Sequence, residues 1–187
     1  MKEILAEVLT IEIPDPALIL LIGSSGAGKS TFAARHFSPA EVVSSDRCRA
    51  MICDDESDQS INAQTFALLH HIARLRLAQR RLTVIDATNL HFRARRPLLR
   101  IARRNNIPAI AIVFDISLAT CLTHNQTRSQ RIVAPEVLQM HASQLAQARA
   151  RLEREGYERI YWLDESKMRD ARVEKSDRRA RVNTDKN

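Results

Sequence analysis

At 187 residues, with 44% apolar and 27% charged side chains, the chain is long enough for one domain with a real core. Lys and Arg number 29 against 22 Asp and Glu, a formal charge of +7 that favours polyanionic partners without naming one. Three cysteines without metal-type spacing argue against a disulfide framework and for a reducing cytoplasm. No run is apolar enough to cross a membrane, and Lys2, Glu3 and Glu7 interrupt any secretory leader.

Leu9–Ile13 reads as a short edge strand, closed by Pro14-Asp15-Pro16. Leu18 to Ile22 has no polar interruption, the pattern of a parallel strand buried on both faces. It stops at Gly23-x-x-x-x-Gly28-Lys29-Ser30, a complete phosphate-binding loop pattern lying between a strand and a helix, the context that pattern requires. Gly23, Gly26 and Gly28 let the backbone curl so that successive N–H groups meet one anion. Ser24, Ser25 and Ala27 complete the loop, and Lys29, Ser30 and Thr31 open a helix whose N-terminus favours negative charge. Lys29 suits the β- and γ-phosphates of ATP, and the Ser30 hydroxyl suits Mg²⁺.

Further along, helix is expected over Lys29–Phe37, strand over Glu41–Ser44, and a helical turn after Ser45-Asp46. The acidic loop 53–60 precedes a long helix, Asn62–Arg80, and a buried strand, Leu82–Asp86, that runs into D-A-T-N. Helix follows over Phe92–Asn105, strand over Ala109–Phe114, helix from Leu118 and again from Pro135 to Glu155, and strand over Arg159–Leu163. This alternation predicts an α/β fold with a central parallel five-stranded sheet flanked by helices, spanning residues 1–163. An arginine-bearing segment at 124–133 is the expected helical lid. Residues 164–187, rich in both signs of charge and poor in large apolar residues, read as a disordered or frayed tail.

In parallel sheets ligands sit at the carboxyl ends of the strands, where the loop, Asp46, and Asp86 to Asn89 all fall. The strand ending Val84-Ile85-Asp86-Ala87 lacks the Asp-Glu pair usual in motor ATPases. A kinase needs a carboxylate beside the acceptor hydroxyl and cations over the transferring phosphoryl. Asp46 suits the first role, with a helix cap as the lesser alternative that can coexist with it; Arg128 and Arg131 suit the second, with a solvated face as the lesser alternative. Asp86 is a candidate Mg²⁺ partner through water, or a helix cap. Arg93, Arg96, Arg100, Arg103 and Arg104 share one arc of the helix after D-A-T-N, either a solvated face or an electrostatic track for a nucleic-acid strand. Aromatic residues make up only 4%, which argues against a broad base-stacking platform and for a short single-stranded end.

The segments I-G-S-S-G-A-G-K-S-T-F-A, E-V-V-S-S-D-R-C-R, D-D-E-S-D-Q and L-T-V-I-D-A-T-N resemble, in order, the kinase domain of bacterial polynucleotide kinase–phosphatase, from about Leu9 to Leu163. D-x-T-N-L-x-x-x-x-R-R, Asp86 to Arg96 here, also resembles the phage polynucleotide kinase. The resemblance implies a P-loop enzyme moving the ATP γ-phosphate, with Mg²⁺, to 5′-hydroxyl ends of RNA or DNA in nucleic-acid repair. It implies Lys29 and Ser30 on phosphates and Mg²⁺, Asp46 as general base, Arg49 on an acceptor phosphate, and Arg128, assisted by Arg131, over the ATP phosphates. Gln59 and Asn89 are the implied acceptor-side residues.

Two departures stand out. The family's lid usually begins Arg-Asn, where this chain has His124-Asn125, so an imidazole stands in place of one fixed cation. The phosphatase and ligase portions have no counterpart in these residues, which implies a kinase that stands alone or works with a separate partner. The rival expectations are a metabolite or nucleotide-sugar kinase of zeta-toxin-like or gluconate type, and an ATP-gated nucleic-acid-binding module.

Overall fold

The computed structural model describes residues 9–127 and 132–177. The elements, in chain order, are β1 (Thr10–Asp15), β2 (Leu18–Gly23), α1 (Lys29–His36), β3 (Val42–Ser44), α2 (Ser45–Cys53), α3 (Asn62–Ala78), β4 (Thr83–Asp86) and α4 (Phe92–Arg104). After them come β5 (Ala109–Phe114), α5 (Leu118–Gln126), α6 (Pro135–Leu152), β6 (Arg159–Leu163), α7 (Glu165–Asp170) and β7 (Arg172–Asp177).

The expected parallel sheet is present, with strand order β3-β4-β2-β5-β6. All six residues of β2 are buried, as a central strand requires. Alternation divides them: Leu18, Leu20 and Ile22 pack with Leu69 and Leu77 of α3, Leu98 and Leu99 of α4, and Leu145 and Leu152 of α6. Ile19 and Leu21 face the opposite layer, with Phe32 and Ala33 of α1 and Ile11 and Ile13 of β1. The chain leaves β2 toward β3 and β4 on one side and returns to β5 and β6 on the other. The loop after β2 therefore lies at the switch point, where crossovers diverge and leave a crevice.

Two expectations fail. The segment before β2 does not edge the main sheet; β1 pairs in parallel with β7 in a separate two-stranded sheet, from Thr10↔Arg172 to Asp15↔Asp177. The segment 164–177 is likewise no disordered tail, because it forms α7 and β7. Asp164 caps α7, its Oδ1 accepting from Lys167 N–H at 2.9 Å. The β7 ladder needs backbone groups rather than apolar side chains, and Lys175 anchors it through Glu41 at 2.7 Å. Residues 178–187, the rest of the expected tail, lie outside the described residues.

Candidate active site

The loop Gly23–Gly28 links β2 to α1 and is shaped by close approaches. Gly26 has φ +80, and a Cβ on it would lie 2.5 Å from the Cys121 carbonyl oxygen of α5, so only glycine fits. Lys29, buried, donates from Nζ to the carbonyls of Gly23 at 3.0 Å and Ser24 at 2.7 Å, which holds its ammonium inside the curl. Ser24 Oγ is buried without a hydrogen-bond partner among the described residues. Ser30 and Thr31 are exposed in the first turn of α1.

The D-A-T-N segment is stapled to this loop. Gly23 N–H donates to the Thr88 carbonyl at 3.0 Å. Asn89, in the left-handed region at φ 51, donates from Nδ2 to the Leu21 carbonyl at 2.8 Å. Its amide nitrogen is therefore directed at the strand ends. Asp86 is buried at the end of β4, in register with Ser44 on one side and Leu21 on the other. A buried carboxylate at the end of β4 and a hydroxyl in the first turn of α1 are the oxygen donors that Mg²⁺ favours.

Asp46 sits in the first turn of α2 but does not cap it; Ser44 does, its Oγ accepting from Arg47 N–H at 3.4 Å. The Asp46 side chain, 49% exposed, takes a 2.8 Å bond from Arg49 Nη1 on the next turn. Arg49 is only 3% exposed, and its other bonds run to the Glu56 carbonyl at 2.8 Å and Asn62 Oδ1 at 3.0 Å. Asn62 Nδ2 donates in turn to Gln59 Oε1 at 3.3 Å. Asp46, Arg49, Asn62 and Gln59 thus form one network. Both Nη atoms of Arg49 bond protein groups and orient the carboxylate, while its buried Nε has no hydrogen-bond partner among the described residues. With β4 between them, β3 and β2 lie about 10 Å apart, room for a phosphoryl group and a hydroxyl between Asp46 and the loop.

On the other side of the loop, α5 and α6 contribute contacts the sequence had not disclosed. His124 Nδ1 bonds the Gly26 carbonyl at 2.9 Å, so this histidine contacts the phosphate loop directly. His141 of α6 accepts a long, 3.5 Å bond from Ser25 N–H. Asn125 is buried and bridges to Val133 twice, donating from Nδ2 to its carbonyl at 2.7 Å and accepting from its N–H at 2.9 Å. Arg128 and Arg131, the arginines of the expected lid at 124–133, lie outside the described residues.

A pocket of about 350 Å³ opens beside the start of α1, walled by Gly28, Thr31, Phe32, His124, Glu165 and Met168. Its two far walls are tied together, since Glu165 accepts from Ser117 N–H at 2.9 Å and Thr120 Oγ1 at 3.1 Å. The Ser117 bond is the main cause holding the Glu165 carboxyl below its ordinary range. Size, lining and position next to the loop suit a purine base. The α7 wall was missed because a six-residue helix in a charged stretch carries little periodic signal; its trace in the sequence is the Asp164 cap.

A P-loop at the switch point of a five-stranded parallel sheet, with a tethered carboxylate across the crevice, defines a P-loop NTPase-like α/β protein with the fold of P-loop kinases. The AAA domain family model matches residues 18–155, and the chain belongs to that family. No curated protein sequence matches it. Among solved structures it is similar to a chain of the Pnkp1/Rnl/Hen1 RNA repair complex, with TM-score 0.64 and 19% identity over 81% of this chain and 49% of that one. It thus spans about half the length of that RNA-repair chain. It is also similar to a chain of the PezAT chromosomal toxin–antitoxin system of Streptococcus pneumoniae, with TM-score 0.58 and 16% identity over 82% of this chain and 69% of that one. A gluconokinase from Sinorhizobium meliloti 1021 matches with TM-score 0.50 and 19% identity, over 81% of this chain and 83% of that one. Among the described residues, no helix is long and apolar enough to cross a membrane.

Proposed function

We propose that the chain is an ATP-dependent kinase that phosphorylates 5′-hydroxyl ends of polynucleotides. The observation that carries this reading is the Asp46–Arg49 pair, a half-exposed carboxylate held by a buried guanidinium at the end of β3, on the same edge of the sheet as the phosphate loop. Arg49 fixes the carboxylate's direction, and the side chain stays half-exposed. The run of matching segments supports a polynucleotide acceptor over a metabolite.

In this mechanism the loop N–H groups and Lys29 neutralise the β- and γ-phosphates, while the base occupies the pocket beside Met168. The 5′-hydroxyl approaches in line between Asp46 and the loop. As its oxygen bonds to the γ-phosphorus, the bond from that phosphorus to the bridging oxygen breaks. ADP departs with the bridging electrons, and the hydroxyl proton passes to Asp46. Ser30 and Asp86 would hold Mg²⁺, which supplies charge neutralisation across the phosphates when bound.

The test is transfer from γ-labelled ATP to a 5′-hydroxyl oligonucleotide, run beside gluconate and nucleotide-sugar acceptors. Labelled oligonucleotide is expected, and Asp46→Asn should lower kcat by about 10²–10⁴ while ATP affinity holds. Labelling of a metabolite alone would replace this reading with the metabolite kinase. An unchanged ATP turnover in Asp46→Asn would favour an ATP-gated binding module.

A further inference from the structure

The exposed face of α4 carries a line of side chains that none of this chemistry uses. Phe92, at the first turn, is an exposed aromatic residue two positions beyond the D-A-T-N-L run that ends in the cleft. Arg96, Arg100, Arg103 and Arg104 follow it and together line an open groove. All four are exposed, and none has an ion pair or side-chain hydrogen bond among the described residues. Phe92 and the four arginines fall within about a 120° arc of the helix. The opposite face is buried through Leu98, Leu99 and Ala102, so the arginine face has one direction available, outward.

Four unneutralised guanidinium groups on one face repel one another, and a solubility role requires no such alignment. Spacing narrows the ligand. Arg96, Arg100 and Arg104 climb the helix at about 6 Å per step, comparable to successive phosphates on an extended strand. A small anion would engage one or two of them; only a chain of phosphates engages all. The line starts at the cleft with an aromatic ring and descends about 18 Å to Arg104. That polarity matches a strand whose first base stacks at the entrance and whose following phosphates run down the helix.

We infer that Phe92, Arg96, Arg100 and Arg104, with Arg103 beside them, form a track for the single strand that trails behind the acceptor end. This inference rests on the polynucleotide reading above and adds to it the path of the strand and a dependence on its length. The track serves binding rather than chemistry, so it acts on KM and on salt dependence, and only for acceptors long enough to reach it.

The experiment compares 5′-hydroxyl dinucleotide and decanucleotide acceptors with the wild-type chain and with Arg96→Gln/Arg100→Gln/Arg104→Gln. In the triple variant KM for the decamer should rise about tenfold or more, and the log KM against log salt slope should fall by about 2. KM for the dinucleotide and kcat for both acceptors should stay as in wild type. Phe92→Ala should raise KM for both lengths, since a base stacks there whatever follows it. Replacing the same three arginines by lysine should keep the decamer KM near wild type, which a purely structural role for the guanidinium groups would not allow. If wild type phosphorylates both acceptors and the glutamine variant leaves the decamer KM and salt slope unchanged, the track is overturned while the kinase reading stands. Transfer by wild type to neither oligonucleotide would overturn the kinase reading and the track together.

Discussion

Arg95→Met removes the largest fully buried side chain, one that lies at 0% exposure on the packed face of α4. Arg95 Nε donates to Glu155 Oε2 at 2.7 Å, and Nη2 pairs with Oε1 of the same carboxylate. Nη1 donates to the carbonyls of Asn89 and Leu90, each at 2.7 Å, so the same side chain holds the end of the D-A-T-N segment. Methionine keeps much of the apolar stem and leaves the Glu155 carboxylate, 4% exposed, without its partner. Breaking a buried pair from one side costs about 3–5 kcal/mol. Two carbonyls stripped of a donor add to this, about 1–3 kcal/mol for one left dry. Even the low end of that sum, about 5 kcal/mol, is comparable to the whole stability of many domains. Urea unfolding reads it directly, and Tm should fall by about 10–20 °C. Arg95→Met/Glu155→Leu should recover a large part, because no charge is then stranded. A single variant losing under about 1 kcal/mol, or a double variant no better than the single, would refute the assignment of Arg95 as a buried brace.

Two further outcomes test the loop and its surroundings. Gly26→Ala and Gly28→Ala share the penalty of a left-handed backbone, about 1–2 kcal/mol. Only at Gly26 would the new Cβ meet backbone, 2.5 Å from the Cys121 carbonyl, whereas at Gly28 it meets the flexible Met168 thioether at 3.1 Å. Calorimetry should therefore rank Gly26→Ala as the less stable, and the reverse order would count against this loop geometry. Asp164, held by Lys167 N–H and the Ser166 hydroxyl, has its carboxyl lowered to about 2. Since the folded value lies below the unfolded one, the cap's contribution is complete above about pH 4 and is lost as pH falls toward 2. A carboxyl-carbon NMR titration should find that low midpoint, and an ordinary aspartate midpoint would mean that α7 is not capped in this way.

The glycine spacing from Gly23 to Gly28, the apolar run before it and the alternation of strands and helices are local patterns. Each repeats over a few residues, so the nucleotide loop, the five parallel strands and the place of Asp46 and Asp86 at their ends were legible in the sequence. Arg95 left a faint trace as an arginine in phase with Leu98, Leu99 and Ala102, but it was masked by its arginine-rich helix. Asn89 showed as a polar residue at the site, with no sign that its amide would face inward.

Only the tertiary structure decided which distant groups meet. Strand β7 joins β1 across most of the chain, Glu155 reaches Arg95, Arg49 reaches Asn62, and α7 walls the pocket beside the loop. A backbone ladder can form whatever the side chains, and a buried polar group needs a single partner, so neither leaves a period in the sequence. The amino-acid order alone determined a P-loop on a parallel sheet. The burial of Arg49 and Arg95, which depends on every layer closing over them, decided how the carboxylate and the D-A-T-N segment are held beside it.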